Sequence, residues 1–182
     1  MDDSSMSLDD SCSSGTDVFI RVTLDLDSSV PEKKKFTLSR RTCSPSHVLS
    51  LLFESTRVEC VSIGHVDVQT FERVCEFMEH HCEHLPLTIP KPLPPTDIKN
   101  LLFEWDFLFF ARLSTKQLLD LMMAADFLDV TCLIETTSAV IASMIRGKCA
   151  QEIRNTFGIE NDFVAGEEDA IRAQNKWIQF KR

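Results

Sequence analysis

Residues 85–95 hold five of the seven prolines in the chain. Proline has no backbone N–H and a fixed φ, so this stretch can be neither helix interior nor central strand. It reads as a semi-rigid connector over 85–97, a plain linker rather than a Pro-rich docking ligand through Pro92 and Pro95. The chain is thereby divided into two parts of different periodicity.

Before the connector, Val18, Ile20, Val22 and Leu24 alternate with Phe19, Arg21 and Thr23, a period of two that predicts a half-buried strand. A turn-rich segment with Asp25, Asp27, Ser28, Ser29 and Pro31 follows, and Lys35-Phe36-Thr37-Leu38 alternates again, so the two strands pair as a hairpin. Ser44-Pro45 reads as a helix start, with Ser as the cap and Pro at the first helical position. Val48, Leu49, Leu52 and Phe53 supply its apolar face. Cys60-Val61-Ser62-Ile63 is a third strand, closed by Gly64. Asp67 caps a helix in which Phe71, Val74, Cys75 and Met78 recur at helical spacing, with Val66 placed to staple onto Phe71.

Beyond the connector the period is helical. An apolar stretch with Trp105 and four Phe runs over 98–110 and reads as helix. Ser114-Thr115-Lys116-Gln117 is a capping box, followed by Leu118, Leu121, Met122, Ala125 and Leu128 on one face. Val130, Leu133, Ile134, Ile141, Met144 and Ile145 form the next face, which ends at Arg146-Gly147-Lys148, where basic residues and Gly suit a helix C-terminus. The predicted fold class is therefore α+β, a small three-stranded sheet with helices followed by helix alone.

The pattern changes after Gly147. Ile153, Phe157, Ile159, Phe163, Ile171, Trp177, Ile178 and Phe180 fall on pieces shorter than the roughly 12–15 residues an isolated helix needs in water. Either this tail folds back on the domain, or it presents an apolar face that a partner completes. Physics alone leaves both open.

Composition narrows the function classes. The net charge is -9 and the pI about 5.0, which argues against nucleic acid, whose phosphates are neutralised by Lys and Arg. Lys33, Lys34, Lys35, Arg40 and Arg41 read as a solvated hairpin edge. Seven dispersed cysteines suit reduced intracellular usage, and the acidic, Ser-rich 1–17 segment reads as disordered and lacks the features of a secretory signal. No apolar run approaches the roughly 20 residues of a membrane span, so the chain is expected to be soluble and cytoplasmic or nuclear. His80, His81, Cys82 and His84 crowd one helix end, which cannot converge four neighbours on a metal tetrahedrally, so they read as a solvated helix end. No nucleophile motif surrounds any Cys and no glycine-rich phosphate loop is present, so neither catalysis, a cofactor, a metal nor a small-molecule substrate is expected.

Leu118-Leu119-Asp120-Leu121-Met122-Met123-Ala124-Ala125-Asp126-Phe127-Leu128-Asp129-Val130 resembles the "ELILAANYLDI" stretch of the S-phase kinase-associated adaptor family. Gln151-Glu152-Ile153-Arg154-Asn155-Thr156-Phe157-Gly158-Ile159-Glu160-Asn161-Asp162-Phe163 resembles its "EEIRKTFNIKNDF" motif, and Asn175-Lys176-Trp177 is similar to its terminal "NQW". Trp105-Asp106 and the helix end at 77–81 match in order as well. The resemblance implies a BTB/POZ-type domain over 18–147 with C-terminal helices over 148–182. It implies an adaptor that links a cullin to F-box proteins within SCF ubiquitin ligases. By motif, F-box contacts fall on Ile153, Phe157, Asn161, Asp162, Phe163 and Trp177, and cullin contacts on Asp126 and Phe127. Asp126 stands where the family commonly has Asn, the connector is Pro-rich rather than acidic, and Val164-Ala165-Gly166 replaces a stronger helix cap. The alternative is a BTB/POZ homo-oligomerisation module, and a homodimer is expected when no partner is bound.

Overall fold

The computed structural model describes residues 19–24, 35–54, 60–64 and 66–175. The 1–17 segment and Trp177 lie outside the described residues. The α+β reading holds. Strand β1 (Phe19–Leu24) pairs antiparallel with β2 (Lys35–Ser39), Val22 opposite Phe36. It pairs in parallel with β3 (Cys60–Ile63), so the sheet runs β2-β1-β3. A parallel pair needs a crossover, and this one passes through the short helices α1 (Arg40–Cys43) and α2 (His47–Glu54).

The helix starts differ from expectation in one place. Ser44 is the residue that closes α1, and α2 begins three residues later, at His47. Ser39 caps α1 through the Thr42 amide, at 3.1 Å, and Ser46 receives the Leu49 amide at 3.1 Å. Ser46 wins because its hydroxyl also donates to the Leu128 carbonyl at 2.5 Å, a tertiary bond that no local pattern displays. Arg40 and Arg41 consequently sit on α1 instead of a hairpin edge, with Arg41 paired to Glu83 at 3.1 Å.

Helix α3 (Val68–His81) starts at the Asp67 cap, and Val66 and Phe71 are both buried, as a staple requires. After the Pro-rich segment, 98–110 is not one helix. A 3-10 turn (Ile98–Asn100) comes first, residues 101–103 break the chain, and α4 runs Glu104–Ala111. Asp97 caps the turn and buried Leu102 fills the core between the pieces, so two short elements satisfy the burial that a single rod would not.

Helices α5 (Thr115–Phe127) and α6 (Thr131–Ile145) pack together, and α5 also packs on α3. The Ser114–Gln117 capping box is present. At the far end Asp129 takes φ 49, with the Val130 amide reaching the Ala125 carbonyl and the Asp129 amide reaching Asp126, the two bonds of a Schellman motif. Leu118, Leu121, Ala125, Leu128, Val130 and Leu133 are buried here and join Phe71, Val74, Phe77, Met78 and Phe109 in one core.

Candidate functional site

The tail consists of α7 (Ala150–Phe157) and α8 (Glu167–Gln174), and neither helix contains a buried residue. Their eight-residue lengths fall below what a helix sustains by itself, so their termini are well furnished. Glu152 accepts the Cys149 amide at 2.7 Å, completing a capping box. That bond, ahead of the thiol contact, holds the Glu152 carboxyl below its usual value. Gly158 ends α7 at φ 67, a left-handed position that suits glycine, and the Ile159 amide returns to the Arg154 carbonyl at 2.9 Å. Gly166 precedes α8 without a side-chain cap. Three acids in the first turn compensate through the helix dipole, and Glu167 accepts the Val164 amide at 3.1 Å.

Of the residues expected to contact an F-box, Ile153 and Phe157 are half-buried on α7, which packs against α5. Asn161 and Asp162 are exposed on the link between α7 and α8, and Asn161 accepts the Phe163 amide at 3.3 Å. Phe163 is 39% exposed, with the Arg154 guanidinium 5.1 Å from its ring centre, and Arg154 reaches Glu168 on α8 at 3.7 Å. The tail therefore folds on itself without sealing its aromatic ring. Ile159, Val164 and Ile171 stay exposed beside it. Val164, unlike its neighbours, belongs to no expected apolar series.

A second apolar face lies on α5. Asp126 is exposed and Phe127 is 50% exposed. Leu119 and Met123, eight and four residues before Phe127, share its side of the helix, and Met123 is 72% exposed. The series at Leu118, Leu121, Met122, Ala125 and Leu128 marks only one apolar side of α5. The stripe 119–123–127 was detectable as a second i, i+4, i+8 series opposite the core series.

At the histidine-rich end of α3, His84 is exposed as expected, but His81 is buried, not solvated. His81 is 4% exposed and Asp106 2%, with Nε2 and Oδ1 2.7 Å apart, while Nδ1 donates to the His84 carbonyl at 2.6 Å. His80 stacks on Trp105 at 3.8 Å, and burial, followed by the neighbouring His81 and His84, holds its pKa below the ordinary value. This cluster ties α3 to α4. Among the described residues, no group of three or more His, Cys, Asp or Glu is placed to hold a metal. Among them too, no helix is long and apolar enough to cross a membrane.

Residues 128–178, the span from the α5–α6 corner through the tail, match the family model described as "Skp1 family, dimerisation domain". Over a longer span, the chain is 30% identical across 149 residues to the S-phase kinase-associated protein 1 homolog of Tetrahymena thermophila, covering 81% of this chain and 90% of that protein. The chain belongs to the Skp1 family. Other Skp1-family relatives are named "E3 ubiquitin ligase complex SCF subunit sconC". That of Arthroderma benhamiae is 32% identical over 149 residues, covering 79% of this chain and 88% of the relative. That of Neosartorya fischeri is 32% identical over 161 residues, covering 87% and 98%. The BTB/POZ-type α+β fold expected of a Skp1-family member is the one observed.

Proposed function

We propose that this chain is the adaptor subunit of an SCF-type E3 ubiquitin ligase, joining a cullin to F-box substrate receptors and contributing no catalysis. The observation that carries the reading is a tail whose two helices contain no fully buried residue while Ile159, Phe163, Val164 and Ile171 stay exposed. Apolar side chains on short amphipathic segments are suited to a helical partner that supplies the missing side of a core. Ile153, Phe157, Asn161, Asp162, Phe163 and Trp177 form the F-box face of this proposal, within the 148–182 helical unit. Asp126 and Phe127, with Met123 and Leu119 beside them, form the cullin face on the 18–147 domain. The names of the relatives support the same assembly.

A non-catalytic role fits the thiols. Burial pushes Cys43 and Cys75 up to about 12, which keeps them protonated and unreactive at neutral pH. Among the described residues Cys43, Cys75, Cys82, Cys132 and Cys149 are free, which also fits a cytosolic or nuclear setting.

The test is titration of the full chain with an F-box segment, comparing wild type with Phe163→Ala/Trp177→Ala. Each lost interface aromatic costs about 2 kcal/mol or more, so Kd of the double variant rises roughly a thousandfold when the two losses add. Unchanged affinity in the double variant sinks the proposal. The family model's description as a dimerisation domain favours one companion reading, that the same face pairs with a second copy when no F-box protein is present. The mass of the unpartnered chain at low micromolar concentration decides that.

A further inference from the structure

The Pro-rich segment does more than join two halves. Pro86, Pro90, Pro92, Pro94 and Pro95 contribute no N–H, so nearby carbonyls must find donors outside the segment. A single side chain provides them. The Arg146 guanidinium donates from Nη1 to the Pro94 carbonyl at 2.7 Å and to the Thr96 carbonyl at 3.3 Å, and from Nη2 to the Leu93 carbonyl at 3.4 Å. Its planar fork of donors is suited to several acceptors at once, where an ammonium is a point.

A second tie runs from Lys91 Nζ to Glu135 at 2.7 Å. Glu135 and Arg146 are separated by about 16 Å of helix at roughly 1.5 Å per residue, and residues 91–94 span at most about 11 Å when extended. With the side chains added, the segment lies along α6 and ends at its C-terminus. Ile89 is buried and Leu93 packs on the core, which seats the segment on the globule.

Arg146 is also the last residue before the tail's root. Gly147 follows at φ 72, and Lys148 Nζ donates to Thr156 Oγ1 of α7 at 2.9 Å. Two basic residues thus flank one left-handed glycine. The first grips the globule and the second grips the tail. Neither side-chain bond crosses Gly147; the Lys148 amide does, donating to the Ile145 carbonyl at 3.2 Å, so with Arg146 holding the end of α6 that bond opposes a swing of α7.

We propose that residues 85–97 are a brace which, through Arg146, fixes the direction in which the C-terminal helices leave the globule. Arg146 is a positioning residue, and its effect on F-box affinity rests on the function proposed above. With the brace loosened, the tail spends less time in its binding-competent direction, and apparent affinity falls by that fraction.

Hydrogen exchange of the full chain tests the brace without any partner. Because α7 is too short to persist undocked, its amides report the tail's direction. In Arg146→Met, exchange over 150–157 accelerates at least about fivefold, while 115–142 exchanges as in wild type. Arg146→Lys keeps the charge but not the fork, and falls between. The same variants raise Kd for an F-box segment by about 5- to 20-fold. Unchanged exchange over 150–157 overturns the proposal. So does acceleration spread equally over 115–142, which makes Arg146 a residue of general stability. If wild type binds no F-box segment, the adaptor reading fails, and the exchange pattern still decides the brace.

Discussion

Replacing His81 by Leu leaves the Asp106 carboxyl group buried without its imidazole partner. The pair is 4% and 2% exposed with 2.7 Å between Nε2 and Oδ1, so water cannot easily take over. Removing one member of a buried, hydrogen-bonded pair of ionisable groups costs up to about 3–5 kcal/mol, because the survivor keeps its desolvation penalty. With a urea m value near 2 kcal/mol/M, a 4 kcal/mol loss lowers the unfolding midpoint by about 2 M. Asp106→Leu leaves the imidazole with only its Nδ1 bond to the His84 carbonyl and is comparably costly. The double variant His81→Leu/Asp106→Leu removes both polar groups among Phe77, Trp105 and Phe109, and is more stable than either single variant. The assay is urea unfolding followed by circular dichroism on all four proteins, which closes a double-mutant cycle. A single-variant cost below about 1 kcal/mol, or costs that simply add, refutes the idea that α3 and α4 are held by an interdependent polar pair.

Asp67 is pushed upward by partial burial, but bonds from the Thr70 hydroxyl and amide, the Gln69 amide and the Arg73 charge outweigh that and hold its carboxyl below the ordinary value. Its contribution is therefore present above the unfolded carboxyl value and is lost as pH falls through the lower folded one. Asp67→Ala costs about 1 kcal/mol at pH 6, and the gap from wild type closes below about pH 4 in melts across pH 6 to 2. Gly158→Ala meets no atom within 4 Å, so its cost is the left-handed backbone alone, about 1 kcal/mol, appearing as faster exchange confined to 150–157. A thiol reagent at pH 8 labels exposed Cys149 in the native protein and spares Cys43 and Cys75 until unfolding, with peptide mass spectrometry as the readout.

What the sequence made legible was the local part of the fold. The alternation around Val22, the capping box at Ser114 and the helical series on α3, α5 and α6 are each written within a few residues, and each forms where expected. The misreadings share a cause, which is contact across long chain separation. Ser46 displaces Ser44 as a cap because of Leu128, and the 98–110 stretch breaks because Leu102 and Phe110 fill the core from separate pieces. His81 is buried because Asp106 lies 25 residues away. The tail's residues were legible by type, and Phe163 is open as an unpartnered face requires. Its Arg154 lid was not legible, since a cation over a ring follows from how α7 and α8 meet.

The hydroxyl of Ser46 waits for a carbonyl 82 residues further along the chain. The His47 amide waits likewise for the Asp129 carbonyl, at 3.1 Å. During synthesis, the amino-terminal third therefore leaves the ribosome before the segment that fastens it exists. Folding of the sheet and its crossover is a late event, governed by loop closure and not by local helix formation. A nascent chain halted before residue 128 should remain a client of chaperones, however well its first helices are capped.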